Sequence, residues 1–568
     1  MPVKFIDNKN RRLYIFWFFI IILTLFRIFL FLSIPLDAMG NTPHDDYLLL
    51  SHANSISQGN WLGEYNNRTL VKGISFPLFV AVCKRICIPY ELGLAFFYIF
   101  SVLIFIRGIK NLISNLYQQG ILYLFLLYSP AMLSKVTQQR PYNLALIPPT
   151  VLLITGCFIG LFLRCKDQPR KLIPWAILSG LSLAFFWFVR EDSIWLLPFV
   201  LGALLISYIC IVKQNVLLKK KLISLGILIL PLCLLWITSL GISAINQIHY
   251  HTFTTNERTK SSFSDVMSDL VRMDAPEVRA DVWVSHDTIN RAMEFSPTLA
   301  SIQESIDLIY ESGWSSGGEI PGDIIAWAIR DAAADAGYFT DGAASEEFFR
   351  KVHFELQEAY VSGACEQKPG IFLSSLSDGF VFSEDFSPLI DSSLKAWKRL
   401  LLIEGTEVEI FAGTGSIENL RFFEAMTLSP VVYPDNEAFT SDPVGSAVQR
   451  PVVYAQRFLK LYHLAVYLLL FLSVLCYIWM IWDMICRMRR KKYDTWYLWL
   501  IITGLIGCAA IQIVEVSWFT AYLGDAENIV YSYCTGALTL IQIIQFLTIW
   551  WGFRKITLLY KKRRNVNT

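Results

Sequence analysis

Two adjacent carboxylates, Asp45 and Asp46, follow the first long apolar segment, in the stretch NTPHDDYLLLSHANSISQGNW (41–61). A carboxylate within hydrogen-bond reach of a hydroxyl can take its proton as a general base. The pair could also hold Mg²⁺ or Mn²⁺ through oxygen ligands, and we expect no other cofactor. The alternative is an acidic start to an amphipathic helix, where the helix dipole favours negative charge. The sequence leaves open these interpretations and the choice of base between the two aspartates.

Three cations near the ends of other apolar segments could bind an anion, namely Lys72, Arg140 and Arg190. A guanidinium suits the geometry of phosphate oxygens. A single Lys or Arg at the end of a span is more often an anchor that reaches towards the interface. Glu191 and Asp192 follow Arg190 directly, and they would either orient it towards a substrate or pair with it in a tight turn.

Two histidines, His44 and His52, flank the aspartates, and we expect them to help bind the substrate. They lie eight residues apart, which is not the close spacing of a helical zinc pair, so we expect no structural zinc site. The sequence contains no Walker loop, dinucleotide fingerprint or Gly-x-Ser-x-Gly elbow. An activated nucleotide is therefore not an expected substrate.

The elements that must position these groups are apolar helices. The chain has 568 residues, of which 54% are hydrophobic, which is too apolar for a soluble globular protein. The apolar stretches are 13–34, 74–88, 91–106, 120–134, 143–163, 173–189, 193–212, 222–245, 461–485, 495–518 and 529–553. The sequence therefore predicts a polytopic α-helical membrane protein with about 10–11 transmembrane helices.

Basic residues between the apolar stretches indicate their orientation. Lys4, Lys9 and the pair 11–12 precede the first span, so we expect a cytoplasmic N-terminus. The short stretch 74–88 carries two basic residues of its own. If it does not cross the membrane, ten spans remain, both termini are cytoplasmic, and the candidate site groups all face the outside.

A strongly acidic block, 250–455, separates the last three spans from the rest, with 14 basic and 33 acidic residues. We predict an extracytoplasmic domain here, mostly helical, with minor strand content at 407–413 and 430–434. The flanking parts are an N-terminal membrane module, 1–249, with a catalytic outer loop at 37–73, and a C-terminal membrane module, 456–568, with a basic cytoplasmic tail. Membrane topology explains the basic charge, so we expect no nucleic-acid partner.

Three segments follow the acidic pair: KGISFPLF (72–79), SPAMLSKVTQQRPYNLAL (129–146) and GLSLAFFWFVREDSIWLLPF (180–199). Together they resemble the membrane-embedded GT-C glycosyltransferases. The second segment is similar to the outer loop of that family with an Arg-Pro-Asp-like step, and the third resembles its Gly-Leu…Arg-x-Glu…Leu-Pro pattern. The similarity covers residues 13–215. It departs from the pattern where Asn143 stands in place of an Asp and where the acidic pair is contiguous.

The resemblance implies transfer of a sugar from a polyprenyl-phosphate donor to a glycan, lipid or protein acceptor at the outer face of the membrane. Asp45 or Asp46 would be the base or a metal-associated carboxylate, and Lys72, Arg140 and Arg190 would hold the lipid phosphate. A single displacement predicts inversion at the anomeric carbon. We expect the protein in a bacterial plasma membrane, in contact with membrane lipid.

Two other classes of function remain open from the sequence. The protein could transport or flip a lipid-linked glycan without chemistry, although it shows no internal repeat or paired broken helices. It could also be a non-catalytic receptor whose acidic domain is the binding module. In the receptor, substitution of the aspartates would leave function intact, and in the transporter the donor sugar would stay uncleaved.

Overall fold

A computed structural model describes residues 8–276, 278–279, 281–372, 379–434, 443–490, 496–521 and 526–566. Parts of some predicted elements lie outside this range, including Lys4, residues 491–492 of a basic cluster and the side chains of the basic tail beyond residue 561. In the first part of the chain the α-helices α1–α9 are Asn8–Ser33, Asp46–Gln58, Ser75–Arg85, Tyr90–Gly108, Leu116–Leu127, Ile147–Leu163, Pro169–Trp187, Leu197–Val212 and Leu218–Tyr250.

The remaining helices fall into two groups. Helices α10–α16 are Glu257–Lys260, Ser262–Arg272, His286–Phe295, Pro297–Ala300, Gln303–Glu311, Ile324–Asp335 and Gly342–Ser362. Helices α17–α22 are Phe382–Leu402, Ile417–Thr427, Pro443–Arg489, Trp496–Ala521, Ala526–Tyr533 and Thr535–Val566.

Eight helical segments of the described chain are long and apolar enough to cross a membrane, which makes this a multi-pass membrane protein. They are Arg11–Ser33, Tyr90–Asn111, Asn143–Leu163, Ser193–Val212, Leu218–Tyr250, Gln449–Arg489, Trp496–Thr520 and Thr535–Lys561. The sequence counted three further stretches, which do not meet this criterion of length and hydropathy, so the total of about 10–11 spans stays a prediction.

The three stretches fail this criterion of length and hydropathy for different reasons. In 74–88 the helix α3 has 11 residues, about 17 Å, and in 120–134 the helix α5 has 12, about 18 Å. Both are too short for a hydrocarbon core of about 30 Å. In 173–189 the helix α7 is 19 residues long, but Arg170 and Lys171 in its first turn lower its mean hydropathy.

The early end of α5 is stabilised by Arg27 of the first span, whose side chain is fully buried. Its guanidinium donates to the Leu127 carbonyl at 3.1 Å, to the Met132 carbonyl at 3.0 Å and to Gln138 Oε1 at 2.8 Å. A helix end inside an apolar environment leaves carbonyls that need donors. Arg27 supplies a donor to the last carbonyl of α5, so the chain can leave the helix at Leu127 within the membrane module.

The acidic block contributes to two different hydrophobic cores. Residues between Phe263 and Cys365 form a core of their own, and we call 250–372 the head domain. Residues between Ala396 and Val431 pack instead into the core of the membrane helices. The structure thus divides the predicted 250–455 domain, because α17 and α18 lie against α20 and against α2 and α3, respectively.

The minor strand content predicted for the acidic block is wrong for the described residues, which contain isolated β-bridges and no strand. The candidate strand 430–434 pairs with the chain after α1 through Leu36–Val431, and Thr414, directly after the other candidate strand, pairs with Met39. Gly415 has a φ of +98°, a left-handed conformation suited to glycine. The chain therefore turns directly after the second bridge and no ladder extends.

Candidate functional site

The start of α2 places Asp45 and Asp46 side by side. A turn brings the Asp45 and Tyr47 amides to the Thr42 carbonyl, at 3.2 and 3.3 Å, and the helix begins at Asp46. Asp45 occupies the N-cap position, but its side chain makes no capping hydrogen bond. Both carboxylates contact cations from other segments instead, so the interpretation as a simple acidic helix cap does not describe Asp45.

Asp46 is completely enclosed, with 0% of its side chain exposed. Arg140 binds both of its oxygens, from Nε to Oδ1 at 2.8 Å and from Nη2 to Oδ2 at 2.5 Å. Burial raises the pKa of Asp46, and the Arg140 guanidinium opposes that rise. Burial also works against the charge of Arg140, but Asp46 outweighs it and raises the Arg140 pKa. This bidentate pair joins α2 to the segment before α6, and leaves Asp46 no free oxygen.

Asp45 is the accessible member of the pair, with 41% of its side chain exposed. Its Oδ1 accepts hydrogen bonds from Lys72 Nζ at 2.7 Å and from the Tyr142 hydroxyl at 2.9 Å. Its Oδ2 has no partner within the described part of the chain. Burial tends to raise the pKa of Asp45, but Lys72 and Tyr142 overcome this and lower it to about 2. The two aspartates therefore differ in access, in partner and in free acceptor atoms.

Arg140 and Arg190 occupy equivalent positions before two spans. Each stands three residues before a short 3₁₀ turn, Asn143–Leu146 or Ser193–Leu196, and an α-helix with proline in its first turn follows directly. Proline there costs no helical hydrogen bond and fixes the start of the helix. The repeated local geometry brings both arginines to the same end of their spans.

Arg190 lies in the same cluster, and its guanidinium stacks on the Tyr533 ring at 4.2 Å. Nε is 3.0 and 3.1 Å from the two carboxylate oxygens of Asp192, so Asp192 orients it. Glu191 is exposed, and its charge helps to raise the pKa of Lys72 against the opposite effect of burial. The ion pair between Arg190 and Asp192, which was one of the two alternatives from the sequence, is thus present.

Tyr142 connects the cations. Its ring lies 4.3 Å from the Arg140 guanidinium and 5.9 Å from Lys72 Nζ. Burial raises the pKa of its hydroxyl, which also experiences the charges of Lys72, Asp45 and Arg190. The structure therefore brings together the predicted residues of four separate segments, around positions 45, 72, 140 and 190.

The two predicted histidines differ in whether they lie beside the cluster. His44 lies beside the cluster, with its ring 5.1 Å from Trp314 and 4.7 Å from Trp327. Burial, followed by the charge of Arg68, lowers its pKa to about 4, so the ring is neutral at pH 7. His52 is buried on α2, makes no hydrogen bond or ion pair to any described residue, and has a pKa lowered to about 4 by burial alone. The structure does not bring His52 to the cluster.

Several residues of the site were missed from the sequence. Tyr142 follows Arg140 by two positions in QQRPYN, and that closeness was the available signal. Trp327 and Arg258 come from the head domain, where the Arg258 guanidinium lies 4.7 Å from the Trp327 ring and Lys72 Nζ lies 5.8 Å from it. Tyr533 comes from α21. Only tertiary packing brings these three to the site.

The predicted divalent cation does not fit the acidic pair as the structure arranges it. Both oxygens of Asp46 are bound by Arg140, and Asp45 Oδ1 is bound by Lys72 and Tyr142. Across the described ranges, no three His, Cys, Asp or Glu residues are grouped so that they could hold a metal. The strongest local charges beside the aspartates are the cations of the protein itself.

Comparison with known proteins gives no relative: no family model, no curated protein and no solved structure matches this chain significantly. The chemistry of the site is therefore argued from its geometry.

Proposed function

We propose that this protein is a membrane glycosyltransferase that moves a sugar from a polyprenyl-phosphate donor to an acceptor hydroxyl at the outer face of the membrane. One observation carries the proposal. Asp45, a partly exposed carboxylate with a free oxygen, is hydrogen-bonded to Lys72 and lies in one cluster with Arg140 and Arg190. A base beside several cations suits a reaction that removes a proton and releases a phosphate.

The position of the cluster suits a lipid-borne substrate. Arg140 and Arg190 stand directly before the apolar segments Asn143–Leu163 and Ser193–Val212. A phosphate attached to a membrane-embedded polyprenyl chain would lie at that level, close to the ends of the spans. The exposed side of Asp45 is then available to an acceptor that approaches from the aqueous phase.

The reaction follows from the shared cation. A donor phosphate that approaches Lys72 competes with Asp45 for the same ammonium group, and the added negative charge raises the pKa of Asp45. Asp45 Oδ2 takes the proton of the acceptor hydroxyl, whose oxygen forms a bond with the anomeric carbon of the sugar. The bond from that carbon to the phosphate oxygen breaks, and the electron pair leaves with the polyprenyl phosphate. Lys72 and Arg190 stabilise its charge.

The low pKa of Asp45 in the absence of substrate explains why the reaction would wait for the donor to bind. A carboxylate with a pKa of about 2 is a weak base at neutral pH. Only the arrival of the donor, which diverts Lys72, restores its basicity. In this scheme Asp46 has no chemical step, and it positions Arg140 and the start of α2.

The proposal is tested by mass spectrometry of lipid-linked sugars and envelope glycans in the native host. Strains that lack the gene are complemented with wild type, Asp45→Asn or Asp46→Asn, at equal protein levels. Asp287→Asn is the matched control, because Asp287 also stands in a first helical turn but is exposed in the head domain. We expect Asp45→Asn to lack one glycan sugar and to accumulate the polyprenyl-phosphate sugar.

Normal glycans in the Asp45→Asn strain would refute the proposal. A transporter gives a different result, because the lipid-linked sugar would then accumulate on the cytoplasmic leaflet alone. Sidedness is measured by its protection from a membrane-impermeant periodate treatment in sealed vesicles of known orientation.

A further inference from the structure

The head domain covers the site with aromatic and basic side chains. Trp327 of α15 contacts the His44 ring at 4.7 Å, and Lys72 and Arg258 lie at 5.8 and 4.7 Å from its centre. Trp314, from the loop before α15, packs edge-on against His44 at 5.1 Å and is only half-buried. A partly accessible indole therefore lies against the ring of His44, the residue that precedes Asp45.

Three nitrogen atoms in this region are buried and have no hydrogen-bond partner among the described residues: His44 Nε2, Arg68 Nε and Arg258 Nε. Buried polar atoms without partners are uncommon, because each loses its hydration without compensation. The charges of Arg68 and Arg258 both act on His44, so the three atoms belong to one region that offers hydrogen bonds to a polar group from outside the chain.

The local charge is opposite to that of the domain as a whole. The side chain of Arg68 makes no ion pair within the described ranges, although 33 acidic residues lie in the block 250–455. Arg258 is paired with Asp323 at 3.1 Å. The charges of Arg68, Lys72 and Arg258 all reach His44, where they add to the effect of burial in lowering its pKa. The loop between α2 and α3 thus supplies two of the cations around His44, and the acidic head domain supplies the third, Arg258.

We propose that Arg68, Arg258, His44 and Trp314 form an acceptor subsite for a sugar ring that carries an anionic group, a carboxylate or a phosphate. The apolar face of the ring packs on Trp314, as aromatic side chains do in pockets with few polar groups. The two guanidinium groups bind the anionic substituent, and neutral His44 accepts or donates one hydrogen bond through Nε2. This assignment to the acceptor rests on the glycosyltransferase function proposed above, whereas the subsite itself does not.

The subsite is tested by binding, without turnover. The full chain is reconstituted in phosphatidylcholine nanodiscs, and saturation-transfer NMR measures the affinity for D-glucuronate, D-glucose 6-phosphate and D-glucose. We expect both anionic sugars to bind at least about tenfold more tightly than glucose, as the gain of one charge-assisted hydrogen bond implies. The stronger of the two identifies the anionic group. Equal affinity for all three sugars would overturn the proposal.

Arg68 provides the specific variant, because its side chain has no bond within the described structure that its loss would break. Arg68→Gln is expected to weaken the anionic sugars about tenfold and leave glucose unchanged, and Arg68→Lys to restore part of the affinity. Arg350→Gln, which removes an exposed arginine on α16, is the control and is expected to bind as wild type. Unchanged affinity in Arg68→Gln would also overturn the proposal. Thermal unfolding of each variant verifies that it is folded.

The two proposals fail independently. If the sugars bind as expected but Asp45→Asn leaves the glycans normal, the subsite exists and the transferase function does not. If Asp45→Asn abolishes transfer but the sugars do not discriminate by charge, the transferase function stands and the subsite is wrong.

Discussion

Two ion pairs hold the loop between α2 and α3, and they differ in how far their carboxylates are exposed. In the head domain, Arg330 binds Glu257 at 2.8 Å, with side chains 0% and 5% exposed. The second oxygen of Glu257 accepts from the Tyr65 hydroxyl at 2.8 Å. At the site, Asp45 binds Lys72 at a similar distance of 2.7 Å, yet 41% of its side chain is exposed.

The Arg330–Glu257 pair, in which both carboxylate oxygens are bound, stabilises the loop between α2 and α3. Arg330 also donates to the carbonyls of Asn67 and Thr69, at 2.7 and 3.3 Å, and the Glu257 amide donates to the Leu70 carbonyl at 2.8 Å. These bonds hold the backbone that leads to Lys72. A carboxylate with both oxygens bound, as in Glu257, thus stabilises the fold, whereas a carboxylate with one free oxygen, as in Asp45, can act on a substrate. We expect stability to depend on the Arg330–Glu257 pair and activity to depend on the Lys72–Asp45 pair.

The largest effect on stability is expected from Arg330→Met. It leaves the Glu257 carboxylate buried without its cation, a loss of about 3–5 kcal/mol in the free energy of unfolding. Chemical unfolding of the purified protein in detergent measures it. Arg350→Gln is the control, since its ion pair with Glu347 is exposed and no change is expected. A Met variant as stable as wild type would remove the distinction between the two pairs.

An effect of about 3 kcal/mol is expected from pH through His52, whose pKa burial lowers to about 4 from an ordinary value of 6.5. The folded state binds this proton more weakly than the unfolded state. His52 therefore permits full stability above pH 6.5, and stability falls as the pH decreases from 6.5 to 4. His52→Phe should lack this part of the pH dependence in unfolding curves, whereas His251→Phe, which alters an exposed ring, should retain it.

A smaller loss, about 2 kcal/mol, is expected from Asp46→Asn. The amide oxygen can still accept one hydrogen bond from Arg140, but the guanidinium loses its compensating charge. The measurement is again chemical unfolding. The double variant Asp46→Asn/Arg140→Gln should lose less than the sum of its single variants, because the two groups are coupled. Simple additivity would show that the pair is not a unit.

The smallest effect on stability is expected from Asp45→Asn, less than about 1 kcal/mol, because solvent screens a partly exposed pair. Its effect on transfer should nevertheless be the largest, about 10²–10⁴-fold, as for the loss of a general base. Unfolding and glycan analysis of the same variant give the two values. A loss of stability as large as that of Asp46→Asn would mean that the two aspartates have the same structural role.

Length and hydropathy predicted the eight long apolar helices correctly, because a span needs a continuous apolar run whatever surrounds it. They could not predict that α5 ends at Leu127, since the donor to the Leu127 carbonyl is Arg27, which lies 100 residues earlier in the chain. They also could not divide the acidic block. The sequence near Leu400 and Phe423 predicts part of a soluble domain, whereas tertiary packing places these residues in the core of the membrane helices.

The candidate site was predicted in part. Charges at the ends of apolar segments identified Asp45, Lys72, Arg140 and Arg190 as a set, and the structure places them in one cluster. The difference between the two aspartates was beyond the sequence, because it depends on which cation each one meets. The contributions of Trp327 and Tyr533 depend on contacts with segments far along the chain, and no local pattern indicates them.

Arg27 also has a consequence for how the protein is made. The first span is synthesised and inserted before its partners, and Gln138 lies 111 residues further along. Until then the guanidinium would face lipid, at a cost of up to about 3 kcal/mol on insertion scales. We therefore expect the first helix to remain beside the insertion machinery until α5 and its following loop emerge. The hydrogen bond between Arg27 and Gln138 would then form before the first helix is released into the bilayer.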